Sequence, residues 1–215
     1  ICADASRMLS EIASVWPKVD YSVWTDVCDR IKSELLTYDD RKYNKLVRRL
    51  SHVIPEDAVI TTDVGQNQVW VAQSFELKKG QRILFSGGHG TMGHSLPASM
   101  GAALASGKVV YSFNGDGGIQ MNIQELQMIV REKLPVKILL FNNGGLGMIR
   151  HFQEMYFDGK YYQTVPEGGF TSPDFSKVAD AYGLAYRCVQ DESDIDSLSD
   201  ILSDDLPAMV EVKLC

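Results

Sequence analysis

Near-continuous apolar runs alternate with helical stripes along most of this chain. Val109, Val110, Tyr111 and Phe113 lead into a Gly115-Asp116-Gly117 turn, and Val136, Ile138, Leu139, Leu140 and Phe141 lead into Asn142-Asn143. Runs of this kind suit strands covered on both faces, as in a parallel sheet. Between them Ile123, Leu126, Ile129 and Val130 share one helical face. Asn122, with Glu125 three residues on, has the pattern of a capping box, and Leu134-Pro135 ends the helix. The stretch therefore predicts a βαβ unit. Its crossover returns the second strand parallel to the first, and neighbouring strands lie about 4.8 Å apart. Asp116 and Asn143 then emerge side by side at the carboxyl edge, where open α/β sheets bind ligands.

The same alternation extends to both sides. Asp4 can cap a helix carrying Met8, Leu9, Ile12 and Val15 on its inner face, and Val23, Val27, Ile31 and Leu35 form a second stripe. These first forty residues hold too little apolar surface for a domain of their own. From Lys42, a stripe of Tyr43, Leu46, Val47, Leu50 and Val53 precedes a strand at 58–62, which closes at Asp63-Val64-Gly65-Gln66-Asn67. A strand at 82–86 and a glycine-rich turn, Gly87 to Gly93, precede an Ala-rich helix at 96–104. Its small residues should let it lie close against the sheet. A short helix from Leu146 should follow the second apolar run, and 158–172, rich in Gly, Tyr and Thr, reads as a mobile loop. Helix, strand (185–189), helix (195–202) and strand (208–214) complete the chain. The expected architecture is a three-layer α/β sandwich, a mainly parallel sheet of about six strands with helices on both faces.

Composition narrows the function. The net charge of −7, with no basic cluster, argues against nucleic acid as the main partner. The four cysteines, Cys2, Cys28, Cys188 and Cys215, show no CxxC spacing and point to a reduced, cytoplasmic setting without disulfides. No apolar run reaches the roughly 20 residues of a membrane span, and no signal peptide is visible. The chain starts at Ile1 without methionine, as if part of something longer.

The chemistry concentrates at the two strand ends. A carboxylate and a carboxamide there offer hard oxygen donors, and adjacent glycines admit backbone groups closely. Mg²⁺ favours such oxygen ligands, with phosphates and water completing an octahedron. Asp116 read alone is a turn aspartate, and Asn142-Asn143 a plain loop; together they read as a Mg-diphosphate anchor.

Gly115-Asp116-Gly117, followed 25 residues after Gly117 by Asn142-Asn143, resembles the signature of thiamine diphosphate-dependent enzymes. The wording MNIQEL, REKLPVKILLFNN and LGMI is similar to the acetolactate synthase branch, over about residues 50–215. The resemblance implies a C-terminal diphosphate-binding domain at 41–215, with 1–40 the end of a central domain and its linker. It implies thiamine diphosphate lined by Gln66, Asn67, Gly90, Met92, Gly115, Gly117, Gly118, Leu146, Gly147 and Met148, and Mg²⁺ held by Asp116, Asn143 and the Gly145 carbonyl. Met92 matches the residue that holds the cofactor bent, and Phe152 falls where a substrate-channel tryptophan is usual. Asn67 departs from the family's histidine, and Gly118 from a frequent serine. His151 reads as an exposed helical histidine. The activating glutamate belongs to the N-terminal pyrimidine-binding domain of a second subunit, so a homodimer or homotetramer is expected, and this chain alone should carry half an active site.

The implied activity is decarboxylation of a 2-keto acid and ligation of the two-carbon product to an acceptor. Another decarboxylase or carboligase, or a non-catalytic cofactor-binding module, remains open. So does a dinucleotide-binding oxidoreductase domain: Gly88, Gly90 and Gly93 fit GxGxxG between a strand and a helix, with Asp116 23 residues past Gly93.

Overall fold

The computed structural model describes residues 4–37 and 41–213, with side chains through residue 35 in the first stretch. Two compact units divide at Asp40–Arg41. In the first, α1 (Ala5–Val15) is capped by Asp4, whose Oδ1 accepts from the Arg7 N–H at 3.0 Å. Helix α2 (Ser22–Thr37) follows. The stripes expected to face inward are largely open: Met8, Leu9, Ile12, Val15, Val23, Ile31 and Leu35 are all exposed.

The second unit is built on six parallel strands. In chain order it runs α3 (Lys42–Val53), β1 (Val59–Thr62), α4 (Gln66–Ser74), β2 (Arg82–Phe85), α5 (Ser95–Ser106), β3 (Val110–Gly115), α6 (Asp116–Ile119), a 3₁₀ turn (Gln120–Glu125), α7 (Leu126–Arg131) and β4 (Val136–Phe141). Then come α8 (Gly147–Tyr156), a 3₁₀ turn (Pro166–Gly168), α9 (Phe175–Tyr182), β5 (Ala185–Val189), a 3₁₀ turn (Glu192–Leu198), α10 (Ser199–Ser203) and β6 (Ala208–Val212). The sheet order is β2-β1-β3-β4-β6-β5, and every neighbouring pair is parallel. The expected six-stranded, three-layer α/β architecture is the one observed.

Alternate residues of the central strands feed two cores. Leu139 and Phe141 of β4 join Leu46, Val47 and Leu50 of α3 on one face. Val136, Ile138 and Leu140 join Leu96 and Met100 of α5, Leu126 and Ile129 of α7, and Phe175 of α9 on the other. Each such side chain contributes about 1.5–3 kcal/mol through burial. The edge strands β2 and β5 lack this double cover and carry exposed residues.

One local expectation needs correction. Asn122 caps no helix: its backbone is non-helical inside the 3₁₀ turn, and its Nδ2 donates to the Gly93 carbonyl at 2.8 Å. A tertiary contact has displaced the local capping box. Val69-Trp70-Val71, residue types that by themselves favour strands, lies in helix α4. The 158–172 segment is anchored against α8. Thr164 is buried, its carbonyl accepts from the Leu146 N–H at 2.9 Å, and its hydroxyl donates to Gln153 Oε1 at 2.5 Å. Cys28 and Cys188 are free thiols; Cys2 and Cys215 lie outside the described residues. Among the described residues, no helix is long and apolar enough to cross a membrane.

Candidate functional site

Strands β1, β3 and β4 are adjacent, and the chain reverses direction across the sheet beside β1. Their carboxyl ends open into one cleft, as expected at a switch in strand order. From β1 come Val64, Gly65, Gln66, Asn67 and Trp70; from β3, Gly115, Asp116, Gly117 and Gly118. From β4 and α8 come Phe141, Asn143, Gly145, Leu146, Gly147, Met148 and Ile149, and Met92 closes the side between β2 and α5.

The heart of the cleft is a group of oxygens. Asn143 Nδ2 donates to Gln66 Oε1 at 2.8 Å. That leaves Asn143 Oδ1 facing Asp116 Oδ1 at 3.1 Å and the Gly145 carbonyl at 2.8 Å. Turned end over end, the carboxamide would donate to both oxygens, but its own oxygen would then face Gln66 Oε1. The Asn143 carboxamide, Asp116 Oδ1 and the Gly145 carbonyl thus meet at one point; without a cation the amide end satisfies both oxygens, and the carbonyl end would face a bound cation. Asp116 Oδ2 is buried without a hydrogen-bond partner. Burial pushes the Asp116 acid up to about 6, against the pull of backbone N–H groups from Gly117, Gly144 and Gly145. Further unpartnered buried oxygens, Thr62 Oγ1, Asp63 Oδ2, Asn67 Oδ1 and Asn114 Oδ1, sit at the same ends of β1 and β3. Buried polar atoms are ordinarily satisfied, so such a concentration marks a place prepared for something else.

The surrounding backbone leaves room for a ligand and little else. A β carbon at Gly147 would lie 2.1 Å from Gln66 Oε1, so any larger residue there would push the Gln66 amide out of its place in the cleft. It opens α8, whose first turn has no side-chain cap. Such a helix start presents free N–H groups and the positive end of the helix dipole, which favour phosphate. Asp63, fully buried, fastens the floor: its Oδ1 accepts from the His94 N–H at 2.9 Å at the start of α5. Burial raises its acid above the ordinary range, opposed by N–H groups of Val64, His94, Gly93 and Ser95. Trp70 packs under the cleft, stacked on Tyr43 with ring centres 4.3 Å apart.

Most residues singled out from the sequence meet here, and two do not. Gly90 has φ +69 in the exposed β2–α5 loop and is not among the cleft residues. Phe152 lies on the outer side of α8, 52% exposed and stacked on Tyr156. His151 is exposed, with its ring 3.8 Å from Glu154. Val64, Gly65, Trp70, Phe141 and Ile149 were not singled out. The helical start at Gln66 puts Trp70 one turn on, so recognising α4 would have revealed it. The dinucleotide alternative loses its geometry, because its acid should stand on the strand next to the glycine-rich turn. Here β1 separates β2 from β3, which carries Asp116. Among the described residues no three His, Cys, Asp or Glu side chains cluster as a metal site; the donor set here is one carboxylate, one carboxamide and one carbonyl.

Comparison with known proteins agrees with this geometry. The family described as thiamine pyrophosphate enzyme, C-terminal TPP binding domain, matches residues 63–212. The acetolactate synthase large subunit of Lactococcus lactis is 33% identical over 99% of this chain and 38% of its own length. Escherichia coli acetolactate synthase isozyme 2 large subunit is 35% identical over 89% of the chain and 36% of its length. The acetolactate synthase of Arthrospira platensis is 46% identical over 63% of the chain and 23% of its length. The chain thus spans well under half of these relatives. With a parallel sheet, a glycine-lined cleft at its carboxyl edge and this match, the chain belongs to the thiamine pyrophosphate enzymes, in the acetolactate synthase-like branch, and carries their C-terminal TPP binding domain.

Proposed function

We propose that the cleft holds Mg²⁺ and the diphosphate of thiamine diphosphate, and that the chain is the C-terminal part of an enzyme joining 2-keto acid decarboxylation to carboligation. The observation that carries the metal is the buried, unpartnered Asp116 Oδ2, beside which the Asn143 carboxamide and the Gly145 carbonyl converge. Octahedral Mg²⁺ with bonds of about 2.1 Å sets adjacent ligand oxygens about 3.0 Å apart. The end of the Asn143 carboxamide that faces them lies 3.1 Å from Asp116 Oδ1 and 2.8 Å from the Gly145 carbonyl, on either side of that value, and a bound metal would turn its oxygen inward. Asp116, Asn143 and the Gly145 carbonyl are the protein ligands in this reading.

Thiamine diphosphate, when bound, supplies the carbon nucleophile and the electron sink. The residues of this chain bind and orient. The N–H groups at Gly117, Gly118 and the start of α8 favour diphosphate, with Gln66 and Asn67 alongside and Leu146, Gly147 and Met148 as walls. Met92 supports the bend of the cofactor.

The activating acid and most substrate contacts come from elsewhere. An N-terminal pyrimidine-binding domain of a second subunit completes the site in this reading, and residues 1–40 are the end of a central domain. Exposed Ile149, Phe152, Met155, Tyr156, Phe157 and Tyr162 around α8 support it, since an apolar patch of that kind favours a partner. Phe152 would reach the substrate channel only in that cytoplasmic homodimer or homotetramer. The relatives' name points to pyruvate as the first 2-keto acid to try. The full-length protein, given pyruvate, should form acetolactate only with both thiamine diphosphate and Mg²⁺ present. Cofactor binding without decarboxylation of any 2-keto acid would favour a non-catalytic module.

A further inference from the structure

We propose that Glu211, acting through Asn142, sets the shape of the turn that carries Asn143 and Gly145 and thereby the metal affinity of the site. The inference rests on the reading that this turn holds Mg²⁺. Glu211 lies on β6, 5% exposed, outside the cleft and on the far side of the turn. Its Oε1 accepts from Asn142 Nδ2 at 2.6 Å, and its Oε2 accepts from the Tyr186 hydroxyl at 2.5 Å. Asn142 is held on every side. Its Oδ1 accepts from the Gly144 N–H at 3.1 Å, its own N–H donates to the Val212 carbonyl at 2.9 Å, and the Tyr43 hydroxyl approaches its carbonyl at 3.4 Å. The first asparagine of the pair is thus turned away from the ligand site, with its hydrogen bonds spent on the backbone of the turn.

The chain of contacts has a direction. Glu211 fixes the Asn142 amide, the amide oxygen fixes the Gly144 N–H, and Asn143 and Gly145 flank Gly144. A displacement of the turn would separate the oxygens of Asn143 and Gly145 from Asp116, which stands on another strand. Tyr186 keeps its proton as donor, since burial and then the Glu211 carboxylate both push its hydroxyl above the ordinary range. Glu211 is a positioning residue. Partners that orient metal ligands in this way are typically worth about 10–100-fold in metal affinity.

Three substitutions in the whole chain test this. Glu211→Ala removes the acceptor for Asn142. Glu211→Gln keeps an oxygen for Asn142 and an amide that can donate to the Tyr186 oxygen. Tyr186→Phe breaks the other bond of the same carboxylate and leaves Asn142 held, so it measures the general cost of disturbing this crevice. Two readouts are taken: amide hydrogen exchange at Gly144 in metal-free protein, and Mn²⁺ affinity by electron paramagnetic resonance with thiamine diphosphate present. Glu211→Ala should speed Gly144 exchange and weaken Mn²⁺ binding, each by about tenfold or more, while Glu211→Gln and Tyr186→Phe stay within about threefold of the wild type. Equal behaviour of Glu211→Ala and Tyr186→Phe in both readouts would overturn the proposal. A wild-type chain that binds no Mn²⁺ would overturn the metal reading itself, and the exchange measurement would still decide what Glu211 does to the turn.

Discussion

The β carbon that Gly118 lacks would fall 1.8 Å from Oδ2 of Asp63, so the two residues share one volume at the floor of the cleft. Asp63 is fully buried and tied to the start of α5 through the His94 N–H. Serine at position 118 therefore cannot enter without displacing a buried carboxylate. Gly118→Ser should cost about 1–3 kcal/mol in unfolding free energy, as overpacking of buried sites does. Asp63→Ala in the same chain should recover part of that loss, a coupling that a double-mutant cycle in denaturant reads directly. Additive effects would show that the two positions are independent.

Asp116 links metal, pH and stability. Its acid is raised from 3.8 to about 6 in the folded, metal-free chain, chiefly by burial. A raised value means that its stabilising contribution is complete below about pH 3.8 and is lost as pH rises through about 6. A shift of about two units corresponds to roughly 3 kcal/mol. Metal-free Asp116→Asn should therefore gain on the wild type by up to about that amount between pH 4 and pH 7. Parallel stability curves for the two proteins over this range would contradict the argument.

Lys137 offers a contrasting site with no part in binding. Its Nζ, buried beneath β4, bonds to Asp204 and to the Leu206 carbonyl. It stands six residues before Asn143, about 20 Å along an extended chain. Lys137→Ala removes a charge partner of the half-exposed Asp204 and the donor to the Leu206 carbonyl, so it should cost about 1–3 kcal/mol. Cofactor affinity of the folded fraction should be unchanged.

Substitution of Phe152 tests the proposed substrate half of the site apart from the binding half. Its side chain is exposed and meets Tyr156 only at a ring distance of 5.9 Å. Phe152→Ala should change stability by under about 0.5 kcal/mol and leave Mg-dependent cofactor binding by this chain intact. In the full-length enzyme, kcat/KM for the 2-keto acid should fall. An unchanged kcat/KM there would remove Phe152 from the substrate channel.

The sheet was legible because its central strands are buried on both faces and therefore read as unbroken apolar runs. Their ends, at Asp116 and Asn143, followed from the βαβ geometry. What escaped was set by tertiary contacts. Helix α4, for which no element was expected, brings Trp70 to the cleft. Asn122 carries a sound local capping pattern, yet the Gly93 carbonyl takes its amide. The roles of the two asparagines could not be divided by spacing alone. Glu211, 69 residues from Asn142, turns one of them away from the cleft, and no local pattern encodes that partnership. Gly90 stands outside the cleft lining, although Met92 in the same loop is part of it.

The most direct measurement is a calorimetric titration of thiamine diphosphate into the chain, with Mg²⁺ and with a chelator, for the wild type and Asp116→Ala. The account predicts saturable one-site binding by the wild type in Mg²⁺ alone. It predicts loss of that binding in Asp116→Ala, with the far-ultraviolet spectrum of the folded chain retained. Binding of equal strength in chelator, or wild-type affinity in Asp116→Ala, would contradict it.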